Sequence, residues 1–204
     1  MSKIDLNNIS HSYNPNDPNP VYALNPFSMT WENGKRYAIL GPSGCGKTTM
    51  LNIVSGLVRP SKGSILFDDK DVTDLKTESR NIAQVFQFPV IYNTMTVYEN
   101  LAFPLKCRDF LKDKIDERVK SVADTLNLES FLNSPARKLT ADQKQLISLG
   151  RGLVREDVAA VLMDEPLTVI DPDLKFRLRR KLKEINEEFK TTLVYVTHDQ
   201  NEAM

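Results

Sequence analysis

Eight residues limit what this 204-residue chain can become more than any others: GPSGCGKT, Gly41 to Thr48. They follow the apolar run YAIL and open the helically spaced KTTMLNIVSGL. The pattern G-x-x-x-x-G-K-[ST] thus stands in the strand–loop–helix setting it requires. The physics dictates the residue types. Glycines let successive backbone N–H groups close around phosphates, and the N-terminus of the following helix adds positive potential. Lys47 can reach the terminal phosphates of a nucleotide, and the Thr48 hydroxyl can ligate magnesium. Cys45, inside the loop, reads as a small filler, with a redox role as the alternative.

A loop of this kind belongs at the carboxyl edge of a sheet, and the remaining apolar runs fit one. KRYAIL, SILF, IAQVFQ, VAAVLMD and TTLVYVT read as strands, alternating with longer helical patterns. That order favours an α/β fold, a mainly parallel core sheet with helices on its faces. VAAVLMD and TTLVYVT are almost wholly apolar, as strands buried on both faces are. In DKIDERVKSVADTLNL, Ile115, Val119, Val122 and Leu126 recur on one helical face. The stretch of about residues 90–157 therefore reads as a helical lobe inserted between core strands of one domain spanning residues 1–204. A later helix begins at Pro172, which suits a first turn, with Asp171 as its cap. Its basic run KFRLRRKLK reads as a solvated face, because Glu184, Glu187 and Glu188 follow. NPNDPNP near the start reads as a turn-rich loop.

Composition narrows the partners. With 27 basic and 27 acidic residues the net charge is zero, which argues against a bulk nucleic-acid binder. Two cysteines make no disulfide framework and point to a reducing compartment. The opening MSKIDLNNIS has no signal-peptide core, and no apolar run approaches the roughly 20 residues that span a bilayer. A membrane role would come through a partner.

Further residues gather around the loop's chemistry. In VLMDEP, a buried strand delivers Asp164 to its end, where its carboxylate can hold magnesium through water. Glu165 follows on the other side of the strand, near where an attacking water would stand, as base or orienting group. In VYVTHDQ, His198 ends another apolar strand and emerges on the same edge, placed to sense the terminal phosphate. Gln87, at the end of IAQVFQ, can couple magnesium or water to the helical lobe. Tyr13 can stack on a base. Pattern alone leaves these last two open, and it assigns nothing to His11.

In this order the residues resemble the ATP-binding subunits of ABC transporters, over essentially the whole chain. The resemblance places Tyr13 at the adenine-stacking aromatic and Gly41–Thr48 at Walker A. It places Gln87 at the Q-loop and Asp164 at the end of Walker B, with Glu165 as the hydrolytic glutamate and His198 as the switch histidine. It implies a nucleotide-binding set of Tyr13, Gly41, Pro42, Ser43, Gly44, Cys45, Gly46, Lys47, Thr48 and Thr49. Magnesium would sit on Thr48, Gln87 and Asp164. GPSGCGKTTMLNIVSGL, MTVYENL and HDQNEAM look most like the carbohydrate and polyol importer branch. The implied role is ATP hydrolysis powering solute uptake, peripheral on the cytoplasmic face of the membrane. The implied partners are permease subunits docked near FPVIYNTMTVYEN, a solute-binding protein, and a second ATP-binding subunit. A regulatory subunit with little hydrolysis and a soluble ABC ATPase are the alternatives.

The sequence departs from that family at LTADQ, Leu139 to Gln143, where the signature reads LSGGQ. In the family this segment contacts the ATP held by a facing subunit, and its glycines let backbone amides approach the terminal phosphate. Ala141 and Asp142 replace them here. At about 4 Å and an effective dielectric near 20, like unit charges repel by roughly 4 kcal/mol. The opposing preference of a helix N-terminus for Asp142 as its own cap is worth about 1 kcal/mol. The expectation is a heterodimer in which an unlike partner supplies an intact signature. TVID, ending at Asp171, also departs from the family's Leu-Asp ending. The chain stops at Met204, at the expected start of a helix and where family members continue, and it reads as truncated.

Overall fold

The computed structural model describes residues 2–168, 170–189 and 191–198; the side chains of Lys181 and residues 183–189 fall outside that description. The chain forms two compact units, one from residues 1–84, 157–164 and 189–204, the other from residues 85–156 and 165–188.

The first unit begins with β1 (Ile4–His11), β2 (Leu24–Trp31) and β3 (Arg36–Leu40), then turns through the glycine-rich loop into α1 (Lys47–Ser55). It continues with β4 (Lys62–Phe67), β5 (Lys70–Asp71) and β6 (Ile82–Val85), and closes with β7 (Ala160–Asp164) and β8 (Leu193–Thr197). Two four-stranded sheets result, ordered β2-β1-β4-β5 and β3-β8-β7-β6. In the second sheet β8 runs parallel to β3 and to β7. Every residue of β7 and β8 is buried, which explains their unbroken apolar character. One core joins the sheets through α1. Met50, Leu51, Ile53 and Val54 pack in it with Ile4, Leu6 and Ile9 of β1 and with Leu162, Val194 and Val196. Each fully buried aliphatic side chain contributes about 1.5–3 kcal/mol. The helix carrying the loop is therefore fixed along its length.

The first sheet corrects the sequence-based expectation. SILF lies in β4, which pairs antiparallel with β1 and stands outside the parallel sheet. β1, β2 and β5 were not anticipated. In β1 the alternation breaks at a bulge: Asn8 has φ 48°, and the pairing with β2 shifts between Leu6 and Ile9. The Ser28 hydroxyl accepts the Asn8 N–H at 2.8 Å. Gly63 faces the bulge so closely that a Cβ there would lie 2.4 Å from the Asn8 carbonyl oxygen. β2 contains Pro26, whose missing N–H is tolerated because β2 is an edge strand.

The second unit contains α2 (Val97–Lys106), α3 (Lys112–Thr125), α4 (Ala141–Leu153) and α5 (Pro172–Phe189). Thr96 caps α2 in a reciprocal box with Glu99. Ile115, Val119, Val122 and Leu126 are all buried, as their spacing demands. Gly150 of α4 permits close packing, since a Cβ there would lie 2.6 Å from Leu101 Cδ2 of α2. Asp171 Oδ1 accepts the N–H of Asp173 at 3.0 Å and of Leu174 at 3.4 Å, so it caps α5 as its sequence indicates. Among the described residues no helix is long and apolar enough to cross a membrane. Val169 of TVID, the tail of HDQNEAM with the helix expected there, and the side chains of Glu184, Glu187 and Glu188 lie outside the described residues.

Candidate nucleotide site

The loop from Gly41 to Gly46 has the form of an anion cradle. Gly44 and Gly46 have φ of 80° and 92°, in the left-handed region that favours glycine. Gly46 is required twice over, since a Cβ there would fall 2.3 Å from the Ala23 carbonyl oxygen. No side chain caps α1 and no acidic residue stands in its first turn, so its positive end is left to an incoming anion. Lys47 is buried, its Nζ donating to the carbonyls of Gly41 and Pro42 at 2.7 Å each, with Cys45 Sγ 3.8 Å away. The Cys45 sulfur sits over Gly41, where a Cβ would approach it to 2.8 Å, in keeping with a filler. Pro42, Ser43 and Thr48 are exposed along the loop.

Tyr13, just past β1, meets Thr49 of α1, their hydroxyl oxygens 3.2 Å apart. The Tyr13 ring is 61% exposed, so a face is open to a base, and it rests edge-on against His11 at 4.6 Å. His11 is itself held by Ser61, whose hydroxyl lies 3.3 Å from Nδ1. Sequence reasoning passed over both residues, because a histidine in a polar segment carries no signal until β1 and its neighbours are known.

The parallel sheet brings three further residues to one edge. Leu40 of β3, leading into the loop, is level with Thr197 of β8, and Asp164 of β7 is level with Val196. Asp164 is buried at its strand end, whereas His198, just past β8, is exposed. The carboxyl edge thus carries the cradle, a carboxylate and a histidine together. Thr48 and Asp164 offer few, hard oxygen donors, which suits a magnesium ion that keeps water and phosphate oxygens in its shell.

In the second unit Gln87 and Glu165 come together. Gln87 Nε2 donates to Glu165 Oε2 at 3.4 Å. The Thr168 hydroxyl donates to the Glu165 carbonyl at 3.0 Å and stands 3.5 Å from Oε2. Glu165 has φ 45°, an uncommon conformation for a residue other than glycine and one that functional turns store. Thr168 was not singled out from the sequence, where a hydroxyl three residues along a turn is unremarkable. At LTADQ, the question of what caps α4 has a definite answer. The Thr140 hydroxyl accepts the Gln143 N–H at 3.3 Å, and Gln143 Oε1 accepts the Thr140 N–H at 3.0 Å. Asp142 is therefore not the cap; it stands in the first turn, beside the positive end of the helix.

Comparison with known proteins agrees with this geometry. The family model described as ABC transporter matches residues 24–168. The trehalose/maltose import ATP-binding protein MalK of Thermococcus litoralis is 44% identical over 190 residues, covering 90% of this chain and 51% of that protein. The sn-glycerol-3-phosphate import ATP-binding protein UgpC 3 of Agrobacterium fabrum is 41% identical, covering 100% of this chain and 56% of its own length. The chain spans about half the length of the curated relatives it matches. Among solved structures, the dimeric ATP-binding cassette MJ0796 bound to ADP and Pi superposes with a TM-score of 0.87 at 29% identity, covering 98% of this chain and 90% of that one. CbiO1 from Clostridium perfringens gives 0.81 at 27% identity, covering 96% and 78%. The sequence-based reading of the family and of the α/β fold is correct: this chain belongs to the ABC transporter family.

Proposed function

We propose that this chain binds and hydrolyses ATP to drive solute uptake, of the carbohydrate or polyol class, as a peripheral subunit on the cytoplasmic face of a membrane. The observation that carries it is the Glu165 carboxylate, held by Gln87 and Thr168 one residue beyond the strand-end Asp164. A buried strand ending in two successive carboxylates separates their duties: Asp164 serves the metal, and Glu165 takes the proton of the attacking water. The glycine loop and Lys47 hold the phosphates, the Tyr13 ring stacks on the adenine, and His198 contacts the terminal phosphate. Thr48 and Asp164, with Gln87, would hold magnesium, which when bound neutralises charge on the phosphate oxygens. Permease subunits, and through them a solute-binding protein, are the partners that the import relatives support.

The test is single-turnover hydrolysis. Glu165→Gln is expected to keep ATP affinity within a few-fold and to lower hydrolysis by about a hundredfold or more, the usual worth of a positioned base. Unchanged hydrolysis in that variant would refute the assignment.

The solved relative is dimeric, which supports a pair of cassettes. Asp142 favours a second reading in which the pair is unlike, because two copies would each bring a carboxylate toward the other's ATP. Only Asp142 and its neighbour Ala141 support that reading. If it holds, the chain alone hydrolyses ATP poorly and Asp142→Gly raises its rate severalfold; full activity alone would eliminate it.

A further inference from the structure

We infer that Gln145, on α4, is a positioning residue for Glu165. It is wholly buried, and its Nε2 donates to the Pro166 carbonyl at 2.7 Å and to the Phe86 carbonyl at 3.4 Å. One amide thereby joins the residue after Glu165 to the residue before Gln87. Those are the two segments whose side chains meet at 3.4 Å.

The rest of the same face of α4 fastens the Gln87 segment. Three residues along, the Ser148 hydroxyl accepts the Val90 N–H at 3.2 Å. Three further, Arg151 donates to the Val90 carbonyl and lies over the Tyr92 ring at 4.6 Å. Gly152 lets the helix rest directly on Val85, since a Cβ there would lie 2.6 Å from Val85 Cγ2. Residues 86–90 are thus pinned to α4 at several points, and Gln145 also reaches the Glu165 turn through Pro166.

A glutamine amide buried on a helix face is costly to desolvate, and here its donor goes to the two carbonyls that flank the Gln87–Glu165 contact. With the donor lost, the Pro166 carbonyl loses its tie to α4, and Pro166 directly follows Glu165, which sits at φ 45°. A displacement of about 1 Å at a reacting group can lower a rate a hundredfold.

The inference rests on Glu165 serving as the base, so the experiment runs three variants in the full-length subunit assembled with its transporter. Gln145→Met keeps length and removes the donor. It is expected to lower turnover at saturating ATP about ten- to a hundredfold while ATP affinity stays within about twofold. Gln145→Glu also lacks a donor at neutral pH but regains one when its carboxyl is protonated. Its turnover, relative to the unaltered protein, is expected to rise as the pH falls. Turnover in Gln145→Met equal to that of the unaltered protein, or a flat relative profile in Gln145→Glu, overturns the inference. Glu165→Gln, run in parallel, separates the two failures: if it abolishes turnover while the Gln145 variants do not, only Gln145 is wrongly assigned. If it also leaves turnover intact, the base assignment itself falls. Should Gln145→Met fail to fold, the pH profile of Gln145→Glu decides alone.

Discussion

Replacing Arg80 by Met removes the clamp on the far end of the phosphate-loop helix. Arg80 is only 2% exposed, and its guanidinium spends all its nitrogens on backbone carbonyls. Nε donates to Leu75 at 3.0 Å, one terminal nitrogen to Ile53 and Val54 at 2.7 and 3.1 Å, and the other to Thr73 at 2.7 Å. Ile53 and Val54 lie in the last turn of α1, where carbonyls lack the usual intrahelical donors; the Gly56 N–H serves Ile53 at 3.2 Å, and Arg80 serves both. Burial pushes the Arg80 pKa down, while Asp71 and Asp74 push it back up. Each carbonyl left without a donor costs about 1–3 kcal/mol. Part of that is returned because a charge no longer has to be desolvated. The net loss is about 3 kcal/mol, which for a chain of this size lowers Tm by roughly 6–12 °C.

Gly56 makes the same clamp testable by a double-mutant cycle. It ends α1 with φ 83°, and a Cβ there would lie 2.7 Å from Arg80 Nε. Gly56→Ala therefore carries two penalties, left-handed strain of about 1–2 kcal/mol and a clash with the guanidinium. In the Arg80→Met background only the strain remains, so the two substitutions combine to less than their sum. The chain has one tryptophan, Trp31, wholly buried in the core of this unit, so its fluorescence in urea follows the unfolding of this unit. An Arg80→Met loss below about 1 kcal/mol, or strict additivity with Gly56→Ala, would refute the clamp.

Gly46→Ala is expected to lower ATP affinity at least tenfold, because its Cβ would meet the Ala23 oxygen at 2.3 Å. Gly44→Ala, with open space around it, is expected to cost only about 1–2 kcal/mol of strain. Equilibrium titration with ATP compares the pair. The hydrogen bond from Tyr98 to Asp116, with burial and the nearby carboxylate charge, pushes the phenol pKa up to about 12. A phenol whose pKa is raised on folding contributes stability below about pH 10, its ordinary value, and loses it as the pH climbs toward about 12. Spectrophotometric titration should therefore find this tyrosine late, and Asp116→Asn should move it back toward about 10.

Residues whose chemistry is local were legible from the sequence. GPSGCGKT, the strand-end pair Asp164 and Glu165, and the spacing of Ile115, Val119, Val122 and Leu126 each announce a local geometry. What escaped was set by distant chain. β1 hides because Asn8 breaks its alternation, and only Gly63, far along the sequence, shows that the break is a bulge. β2 hides behind Pro26, which is harmless only because β2 is an edge. Arg80, Gln145 and Thr168 resemble ordinary polar residues until the carbonyls they serve are located. At LTADQ the residue types raised the right question about the helix cap, and the answer lay in the spacing: Thr140 and Gln143 stand three apart as a capping box, which attention to Asp142 passed over.

Lys47 bears on how the most familiar lesion in such a loop is interpreted. Its ammonium braces the turn from inside, strapped to the Gly41 and Pro42 oxygens. Alanine at that position deletes an attraction and dismantles a scaffold in a single stroke. Failure of such a protein to grip a nucleotide would therefore report on shape as much as on charge. Grafting a neutral hydrogen-bond donor of similar reach, such as glutamine, is the cleaner surgery.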